Sequence, residues 1–584
     1  MKKVLQFVTF LYILSIFFGA NVASALWDAS VVSSGVKYRP WDTVPSNKSI
    51  TINAAKGQWA AFQIACRVSN EDVSGVDISV TTPTMGSNSL RAPMIYKVIN
   101  YNVIKKSRDD GAIGEWPDPL VPKVDPYYSE KRNAFPFKVD RVSPVYNVFD
   151  FNVSSPNPVT RNNGAKTKPT IGGIYSSSGP LNYHIKIDSG GSLGVATFKW
   201  SDNGGITWIM TGVKTGSNVS LNNGLTITFP NQIYSLNDEW EFFANNLRNE
   251  MVWIESYVPT EIPAGTYTST VTVTANGKLS ETLNIQILVQ NITIPKTSSI
   301  PTYYQGSRDG IAKGHFQSWQ GFTTVYENLY RRYMESALNH RISLMSMAPE
   351  ITWDGKSIGG WTTHRDWIKP YMNGTWAGGS ALTAYQISGN FARIAYVSVK
   401  REDDLTQSEK NYLAARDDLL ITEGWMSKTY MVLAEESILR DDLNAAVNAG
   451  GTSIHNINPD YKCIATRNYT SAYTQIDVWA PGIYQFGNYP KSTYDSEIAK
   501  GKQLWAYRSC MSKGCNITGG STYNKWPSDM VDATLPNLRG YYWLLFDNDL
   551  RGDLYYQVFD GYRYWHSSFN FPSPYDPWDS VFDF

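Results

Sequence analysis

The sequence predicts a multidomain protein: an N-terminal antiparallel β-sandwich that carries a small inserted β module, followed by a C-terminal (β/α)8 TIM-type barrel. Three observations support this fold class. The chain has 584 residues, more than one ordinary hydrophobic core accommodates. Short alternating runs of apolar and polar residues fill the first half, and strand-like runs alternate with helical segments in the second half.

The first 25 residues have the pattern of a secretory signal peptide. Lys2 and Lys3 precede an apolar stretch from Val4 to Phe18, and Ala23-Ser24-Ala25 follows as a cleavage motif. We therefore expect a mature chain that is secreted, periplasmic or on the cell surface. A membrane anchor is the alternative, but the stretch is shorter than the span of about 20 residues that a bilayer requires. No later stretch is apolar enough to cross a membrane.

The composition argues against a polyanionic partner and favours a carbohydrate. Charged residues make up 18% of the chain, and 52 basic residues balance 52 acidic ones, so we expect no nucleic-acid partner. Aromatic residues reach 14%, with 20 Trp and 37 Tyr. Because flat amphipathic rings stack on sugar faces while their polar edges stay hydrated, we expect a glycan or oligosaccharide substrate.

Residues 26–296 are predicted to form the sandwich. Runs such as GTYTSTVTVTANGKLSETLNIQILV alternate apolar and polar positions between turn residues. Within this domain, residues 163–245 have their own turn-rich rhythm and predict the inserted β module. The segment SDNGGITW, Ser201 to Trp208, resembles an Asp-box hairpin, but a β-propeller needs one copy in each blade and a single copy is present. Glycan binding, protein binding and a merely decorative role all stay open for the module.

Residues 297–584 are predicted to form the barrel. Thr406-Gln407-Ser408-Glu409 has the form of a capping box, apolar residues follow at helical spacing, and Gly424 stands where a helix-ending glycine belongs. A strand from Tyr430 to Ala434 comes next. Repeated strand and helix units of this kind are typical of a (β/α)8 barrel. A doubly wound sheet is the alternative, but no glycine-rich phosphate loop follows an early strand.

Two adjacent acids, Glu435 and Glu436, follow that strand directly. In barrels of this type the functional residues lie at the carboxyl ends of the strands. Since side chains alternate along a strand, Val432, Ala434 and Glu436 are expected on one face, which makes Glu436 the inward acid. Burial beside a second carboxylate would favour the protonated state that a general acid needs. The alternative is that both acids only begin the next helix, where negative charge favours the N-terminal dipole.

Seven short motifs lie in a characteristic order along the mature chain. They are AAKGQWAAFQIA, WPDPLVP, VPTEIPAGTYTSTVTV, QIDVWAPG, GKQLWAYRSC, GDLYY and YDPWDSVFD. Together with the paired acids, which stand where an adjacent Asp-Glu ends a strand in that family, they resemble glycoside hydrolase family 123, the β-N-acetylgalactosaminidase-type enzymes. The likeness spans most of the mature chain except the inserted module.

This resemblance implies a retaining mechanism in which the 2-acetamido group of the substrate attacks the anomeric carbon. By position, Glu436 would protonate the leaving oxygen and later activate water, and Glu435 would orient the acetamide and balance its charge. The family has Asp where this sequence has Glu435. One added methylene moves a carboxylate by about 1.5 Å. The resemblance therefore implies a substrate with an N-acetylhexosamine, GalNAc-like, and either a pocket rebuilt around the longer side chain or weak activity.

Five further residues are candidates for substrate binding. Asp477 and Trp479 share one face of a predicted strand, and Trp505 and Tyr507 share one face of the next. Each pair would line the mouth of the barrel with a hydrogen-bond acceptor or a stacking ring. Tyr556 belongs to the late run GDLYY, whose two tyrosines point to opposite faces, so that one of them faces the cleft. The alternative is that both tryptophans fill the core between the barrel and its helices.

No metal site or cofactor is expected. The six histidines show no HExxH or similar ligand spacing, and the sequence has neither a phosphate-binding loop nor a G-x-S-x-G elbow. Cys510 and Cys515 are close enough for a local disulfide, although metal binding allows the same spacing, and Cys66 and Cys463 are expected as buried thiols.

A second function class also fits the sequence: an exported carbohydrate-binding or surface-assembly protein that keeps the barrel as a scaffold without catalysis. Glu435 in place of Asp favours this alternative. Glu436 with its aromatic surroundings favours the enzyme. The sugar, the linkage and the oligomeric state stay open.

Overall fold

The structure is a computed structural model, and it describes residues 27–69, 71–103, 111–112, 114–125, 129–139, 149–150, 168–177, 181–244, 247–306, 308–316, 324–386, 405–434, 444–508, 526–527, 529–556 and 558. The chain divides into two compact units. One comprises Met1–Tyr101 and Gly114–Ile292, and the other comprises Asn102–Ile113 and Thr293–Phe584. Among the described residues, no helix combines the length and apolar character needed to cross a bilayer.

The first unit is built from β-strands. Their bounds are β1 (Trp27–Ser33), β2 (Ser49–Lys56), β3 (Trp59–Ser69), β4 (Val73–Val80), β5 (Thr84–Met85), β6 (Asn88–Ser89), β7 (Met94–Val103), β8 (Gly114–Pro122), β9 (Phe137–Val139), β10 (Phe149–Asp150), β11 (Thr170–Gly173), β12 (Leu181–Ser189), β13 (Gly191–Ser192), β14 (Thr197–Ser201), β15 (Met210–Lys214), β16 (Val219–Ser220), β17 (Leu225–Thr228), β18 (Ile233–Tyr234), β19 (Glu239–Ala244), β20 (Leu247–Tyr257), β21 (Gly265–Thr274) and β22 (Glu281–Thr293).

Two of its sheets enclose one apolar core. One sheet has the order β1-β3-β20-β7-β8, and the other has the order β2-β22-β21-β4-β9 with β5 and β6 at the side of β21. The alternation in the sequence explains the arrangement, because Leu283, Ile285 and Ile287 on β22 are buried while the residues between them face outward. The predicted antiparallel sandwich is therefore present in the described residues.

The stretch of sequence from β10 to β19 forms a separate apolar core. The sheet β10-β19-β12-β14-β15, the sheet β11-β17-β16 and the pair β13-β18 share one cluster of buried residues that includes Tyr183, Trp200 and Trp240. This core lies mostly within residues 163–245, where the sequence predicts an inserted module, and its sheet already includes β10, before residue 163. The segment Ser201 to Trp208 forms a turn in which the Ser201 hydroxyl accepts a hydrogen bond from the Gly205 N–H at 3.0 Å. The predicted domain boundaries stay predictions.

The second unit alternates strands and helices. Its elements are β23 (Thr302–Gln305), α1 (Arg308–Phe316), α2 (Thr324–Asn339), β24 (Leu344–Met345), β25 (Thr352–Trp353), β26 (Ile358–Gly359), α3 (Trp361–Asn373), α4 (Gln407–Glu423), β27 (Tyr430–Ala434), α5 (Asn444–Ile457), β28 (Lys462–Ala465), β29 (Val478–Trp479), α6 (Asp495–Ile498), β30 (Gln503–Leu504), β31 (Ala506–Arg508), α7 (Leu535–Asp547) and β32 (Asp553–Tyr555), with 3-10 turns at Met426–Lys428, Ile483–Gly487 and Lys491–Tyr494.

Local sequence signals set the start and end of α4. The Thr406 hydroxyl accepts a hydrogen bond from the Glu409 N–H at 3.3 Å, and the Glu409 carboxylate accepts one from the Thr406 N–H at 2.7 Å. These two bonds are the predicted capping box. Gly424 ends the helix at φ 73°, a left-handed conformation that glycine adopts without steric cost.

The described strands of the second unit pair in parallel, except for the antiparallel pair β25 and β26. The parallel strands form two four-stranded sheets with the orders β24-β23-β32-β31 and β27-β28-β29-β30, and a parallel bridge joins Tyr385 to Thr429 beside β27. Trp505 alone separates β30 from β31, so one stretch of chain contributes to both sheets. The parallel α/β character that the sequence predicts is therefore present. A closed (β/α)8 barrel is not shown, because both described sheets are open.

Side chains on the two faces of these strands belong to different cores. One face forms the interior cluster: Tyr303, Met345, Ala384, Tyr430, Val432, Ile464, Val478, Ala480, Trp505, Tyr507 and Leu554. The opposite face packs against α1 to α5 and α7 in a larger set, the outer cluster, whose strand members include Tyr304, Met431, Cys463 and Tyr555. Neighbouring residues on these strands thus alternate between the interior and the outer cluster, except at the end of β27, where Leu433 and Ala434 both lie in the outer cluster.

Candidate functional site at the carboxyl ends of the parallel strands

Parallel strands finish at one edge of their sheet, and polar side chains collect there in the second unit. We call this the carboxyl edge, and the edge where the strands begin is the amino edge. Among the described residues, those that end or follow a strand at the carboxyl edge and carry a polar group include Gln305, Ser346, Thr466, Arg508 and Tyr556. Gln386 joins them at the end of the described segment that carries the Tyr385 bridge.

The predicted catalytic pair, Glu435 and Glu436, lies outside the described residues. The last described residue before them, Ala434, ends β27 with its backbone held in place. The Ala434 carbonyl accepts a hydrogen bond from the Thr466 N–H at 2.9 Å and a second from the Thr466 hydroxyl at 3.4 Å. Since Thr466 is buried and directly follows β28, the chain reaches the two acids from a fixed point at the carboxyl edge.

A β-bulge changes the phase of β27 just before the acids. Val432 pairs with Ile464 and Ala434 pairs with Ala465, so β27 has one extra residue over this step. Ile464 belongs to the interior cluster and Ala465 to the outer cluster. Ala434 therefore lies on the outer face, and the prediction that Val432 and Ala434 share a face is wrong.

Two side-chain amides lie on the interior side of the carboxyl edge. The Tyr303 hydroxyl donates a hydrogen bond to Gln386 Oε1, which ties β23 to the segment beside β27. Gln305 Nε2 donates to the Ser346 hydroxyl at 3.2 Å. Ser346 has φ 59°, a left-handed conformation that is uncommon for residues other than glycine. Such strain is found where the surrounding structure holds a residue in a functional position.

Three of the predicted substrate-binding residues follow the interior face of β31 and β32. Trp505 is fully buried, and its ring lies 4.8 Å from that of Tyr430, so it fills the core and does not reach the edge. Tyr507 lies one pair of residues further along and is also buried. Tyr556 follows β32 on the face of Leu554, and 43% of its surface is exposed. Tyr556 is thus the tyrosine of its pair that a ligand at the carboxyl edge can reach.

Asp477 lies at the amino edge, away from the other predicted residues. Its carboxylate accepts hydrogen bonds from His455 Nε2 at 2.9 Å, from Lys502 Nζ at 2.6 Å and from the Cys463 N–H at 2.9 Å. Asp477 precedes β29, so its carboxylate faces the start of the strands. Its contacts are those of a structural ion pair, and they do not support a substrate-binding role.

The same place brings together the ligand types of a metal site. Atoms of His455, Cys463 and Asp477 lie within 4.8 Å of one another. However, the Asp477 hydrogen bond raises the pKa of His455 to about 11, and burial raises the pKa of the Cys463 thiol. His455 Nδ1 contacts Gln475 Oε1 at 3.0 Å, so both ring nitrogens face acceptors and carry protons. An imidazolium, a thiol and the Lys502 ammonium do not suit a cation.

Trp479 lies in the outer cluster. Its ring packs edge-on against Tyr469 at 5.3 Å and is stacked with Tyr473 at 6.5 Å. This position agrees with the alternative that Trp479 fills the core beside the helices. The predicted pairing of Asp477 and Trp479 at the mouth is therefore not supported, because one lies at the amino edge and the other faces outward.

A buried ionic network supports the outer face of β31 and β32. The Arg508 guanidinium contacts the carboxylates of Asp553 at 3.1 Å and Asp529 at 3.4 Å. The Tyr541 hydroxyl donates to Asp553 at 2.5 Å. The Tyr304 hydroxyl donates to the same carboxylate at 2.7 Å, and burial raises the pKa of Tyr304 well above the ordinary value because it disfavours the phenolate. Sequence reasoning did not identify this network, since its members are far apart along the chain.

Four polar residues at the carboxyl edge were also missed: Tyr303, Gln305, Gln386 and Thr466. One signal was available for Gln305, because TYYQ is an apolar run that ends on a polar residue before a glycine. That is the same signal that marks the paired acids after β27. Gln386 and Thr466 follow short runs without a clear strand pattern, so their position depends on tertiary contacts.

The chain matches no protein-family model and no curated protein. Among solved structures, it is similar to a family 123 glycoside hydrolase from Clostridium perfringens, described in work on glycolipid glycan hydrolysis. The sequence identity is 14%, the alignment covers 91% of this chain and 78% of that chain, and the TM-score is 0.51. A family 39 glycoside hydrolase from Bacteroides cellulosilyticus (10% identity, 66% and 71% coverage, TM-score 0.27) and a Bacteroides ovatus GH5 xyloglucanase (8% identity, 66% and 90% coverage, TM-score 0.19) are too distant to support an argument. The predicted resemblance to glycoside hydrolase family 123 is therefore confirmed at the level of the fold.

Proposed function

We propose that this protein is an exported glycoside hydrolase that acts on glycans containing an N-acetylhexosamine, with a GalNAc-like sugar as the first candidate. The observation that carries the proposal is the agreement between two independent features. The fold is similar to that of a family 123 glycoside hydrolase along most of the chain. In the sequence, the paired acids Glu435 and Glu436 directly follow β27, and β27 ends at the carboxyl edge, where enzymes with parallel α/β barrels keep their catalytic groups.

The proposal includes a closed barrel in the second unit. Each neighbouring pair of strand segments has a contact that supports closure: the Thr383 N–H donates to the Ser343 hydroxyl at 2.9 Å, Tyr385 bridges to Thr429, and the chain at Trp505 joins the two sheets. The strand segments number eight when the segment around Ala384 is included and β30 and β31 are taken as one stretch of chain, and the interior cluster takes residues from each of them. Closure would bring the ends of all eight segments to one mouth above that cluster.

The proposed mechanism is retaining and substrate-assisted. The 2-acetamido carbonyl oxygen of the substrate forms a bond to the anomeric carbon as the glycosidic bond breaks, and Glu436 gives its proton to the leaving oxygen. Glu436 then takes a proton from the water that opens the oxazolinium intermediate, and Glu435 holds the acetamide nitrogen throughout.

A panel of chromogenic glycosides tests the proposal with the full chain. We expect hydrolysis of 4-nitrophenyl N-acetyl-β-hexosaminides, with little or none of the matching glycosides that carry a 2-hydroxyl group, because the 2-hydroxyl cannot form an oxazoline. NMR of the first product should show retention at the anomeric carbon. Binding of these sugars without turnover would contradict the enzyme and support a carbohydrate-binding protein instead.

A further inference from the structure

The two amides on the interior side of the carboxyl edge have hydrogen-bonding capacity left over. Gln386 is 8% exposed, and its Oε1 accepts from the Tyr303 hydroxyl. Gln305 Nε2 donates to the Ser346 hydroxyl at 3.2 Å and to the Gly306 carbonyl at 3.5 Å. Within the part of the chain that the structure describes, Gln386 Nε2 and Gln305 Oε1 have no hydrogen-bond partner. One amide thus presents a donor and the other presents an acceptor.

The two amides differ in burial. Gln386 is buried and Gln305 is half-buried, and a ligand that covered either open atom without bonding to it would cost about 1 to 3 kcal/mol, so both places favour a ligand with hydrogen-bonding groups. Each amide here is held in place through its other atom, Gln386 by Tyr303 and Gln305 by the strained Ser346. Side chains that are fixed by one atom and open at the other are suited to bind a ligand without loss of conformational entropy.

We infer that Gln305 and Gln386 form a subsite for the hydroxyl groups of a neutral sugar. A sugar hydroxyl both donates and accepts a hydrogen bond, so it can accept from Gln386 Nε2 while it or its neighbour donates to Gln305 Oε1. Neither amide carries a charge, and the subsite therefore selects neutral pyranosides over uronates or sulfated sugars. Tyr303 is a positioning residue that fixes the Gln386 amide. This inference rests on the proposed function and adds the residues that recognise the sugar.

Kinetics with matched variants test the subsite. Gln386→Ala and Gln305→Ala should each lower kcat/KM by about tenfold on the 4-nitrophenyl glycoside that the wild type cleaves fastest. Gln386→Glu keeps an acceptor for Tyr303 and removes the donor, so it should show the same loss with an unchanged melting temperature. Gln475→Ala is the matched control, since it removes an amide that contacts His455 at the amino edge, and it should leave kcat/KM within twofold.

Deoxy sugars identify the hydroxyl that each amide binds. The 3-, 4- and 6-deoxy forms of the same glycoside each lack one hydroxyl. On the form that lacks the hydroxyl bound by Gln386, the kcat/KM of Gln386→Ala should be within twofold of the wild-type value, because the wild type has no hydrogen bond there to lose. Tyr303→Phe should raise KM with a smaller effect on kcat, as expected for a residue that positions a binding group. Values of kcat/KM within twofold of wild type in both alanine variants, on every glycoside that the wild type cleaves, would overturn the inference while the proposed function stands.

Binding of methyl N-acetyl-β-galactosaminide and methyl β-galactoside, measured by calorimetry, separates the two hypotheses. If the wild type hydrolyses no glycoside but binds one of these sugars, and Gln386→Glu abolishes the binding, the proposed function fails and the subsite stands. If the wild type binds neither sugar at millimolar concentration and hydrolyses no glycoside, the subsite is overturned as well.

Discussion

The amino and carboxyl edges of the parallel strands in the second unit use polar residues in opposite ways. At the amino edge, the Asp477 carboxylate accepts three hydrogen bonds, from His455, Lys502 and the backbone of Cys463. At the carboxyl edge, Gln305 and Gln386 each use one amide atom within the described structure, and Tyr556 is exposed. The amino edge has its charges paired within the protein, whereas the carboxyl edge keeps capacity for a ligand. The ion pairs at the amino edge thus contribute to stability, whereas the two amides at the carboxyl edge are available for recognition.

The largest expected effect concerns the acids after β27. Glu436→Gln should lower kcat/KM by about a thousandfold, since it removes the proton donor for the leaving group. The melting temperature should stay at or above that of the wild type, because a residue kept for catalysis is rarely the one that is best for stability. Glu435→Gln provides the comparison. If Glu435→Gln gives the thousandfold loss in kcat/KM, and Glu436→Gln only weakens the preference for N-acetyl glycosides over those with a 2-hydroxyl group, the two roles are exchanged.

The second prediction tests the outer face at the same edge. Arg508→Met should lower the free energy of unfolding by about 3 to 5 kcal/mol, because the fully buried Asp553 carboxylate loses its cationic partner. Chemical denaturation followed by fluorescence measures the change. At temperatures where the variant is folded, its kcat/KM should match the wild type within a few-fold. A normal unfolding free energy would mean that the network does not contribute to stability.

The third prediction concerns Asp477 at the amino edge. Asp477→Asn should lower the free energy of unfolding by about 1 kcal/mol, a modest loss because its ion pairs are partly open to solvent. Activity should change by less than twofold. The opposite pattern, normal stability with a large loss of activity, would return Asp477 to the substrate-binding residues and remove the distinction between the two edges.

The smallest expected effect is a pH dependence that differs between two histidines. The Asp477 hydrogen bond raises the pKa of His455 to about 11, so its contribution to stability is complete below about pH 6.5, the unfolded value, and is lost as the pH rises toward 11. Burial lowers the pKa of His364 to about 4, so stability falls as the pH drops from 6.5 toward 4. Melting temperatures of His455→Gln and His364→Gln from pH 4 to 10 measure both slopes.

Each variant should flatten one limb of the profile, by about 2 °C or more in melting temperature. His455→Gln should flatten the alkaline limb, and His364→Gln the acidic limb. A variant that leaves its limb unchanged would show that the proposed cause, the Asp477 hydrogen bond for His455 or burial for His364, does not govern the titration.

Local signals in the sequence were sufficient for much of the fold. The capping box at Thr406, the ending of α4 at Gly424 and the strand Tyr430–Ala434 all depend on residues close along the chain, and all three are present. The alternating strands of the sandwich were predictable for the same reason. The parallel α/β pattern of the second unit followed from the order of strands and helices.

The candidate site depends on contacts that local signals do not contain. The bulge at Val432 and Ala434 arises from the register with β28, so alternation within β27 alone gave the wrong face for Ala434. Asp477 was expected at the mouth because the two-residue strand β29 is too short to show which of its ends the acid flanks. Gln386 is fixed by Tyr303 and Gln305 by Ser346, and in both cases the partner lies far away along the chain.

One measurement tests the central claim most directly: a crystal structure of the full chain soaked with the thiazoline analogue of N-acetylgalactosamine. The predicted result is density at the carboxyl edge, with the thiazoline ring beside Glu435 and Glu436 and a sugar hydroxyl within hydrogen-bond distance of Gln386. Density beside His455 and Asp477 at the amino edge, or on the inserted module alone, would contradict it.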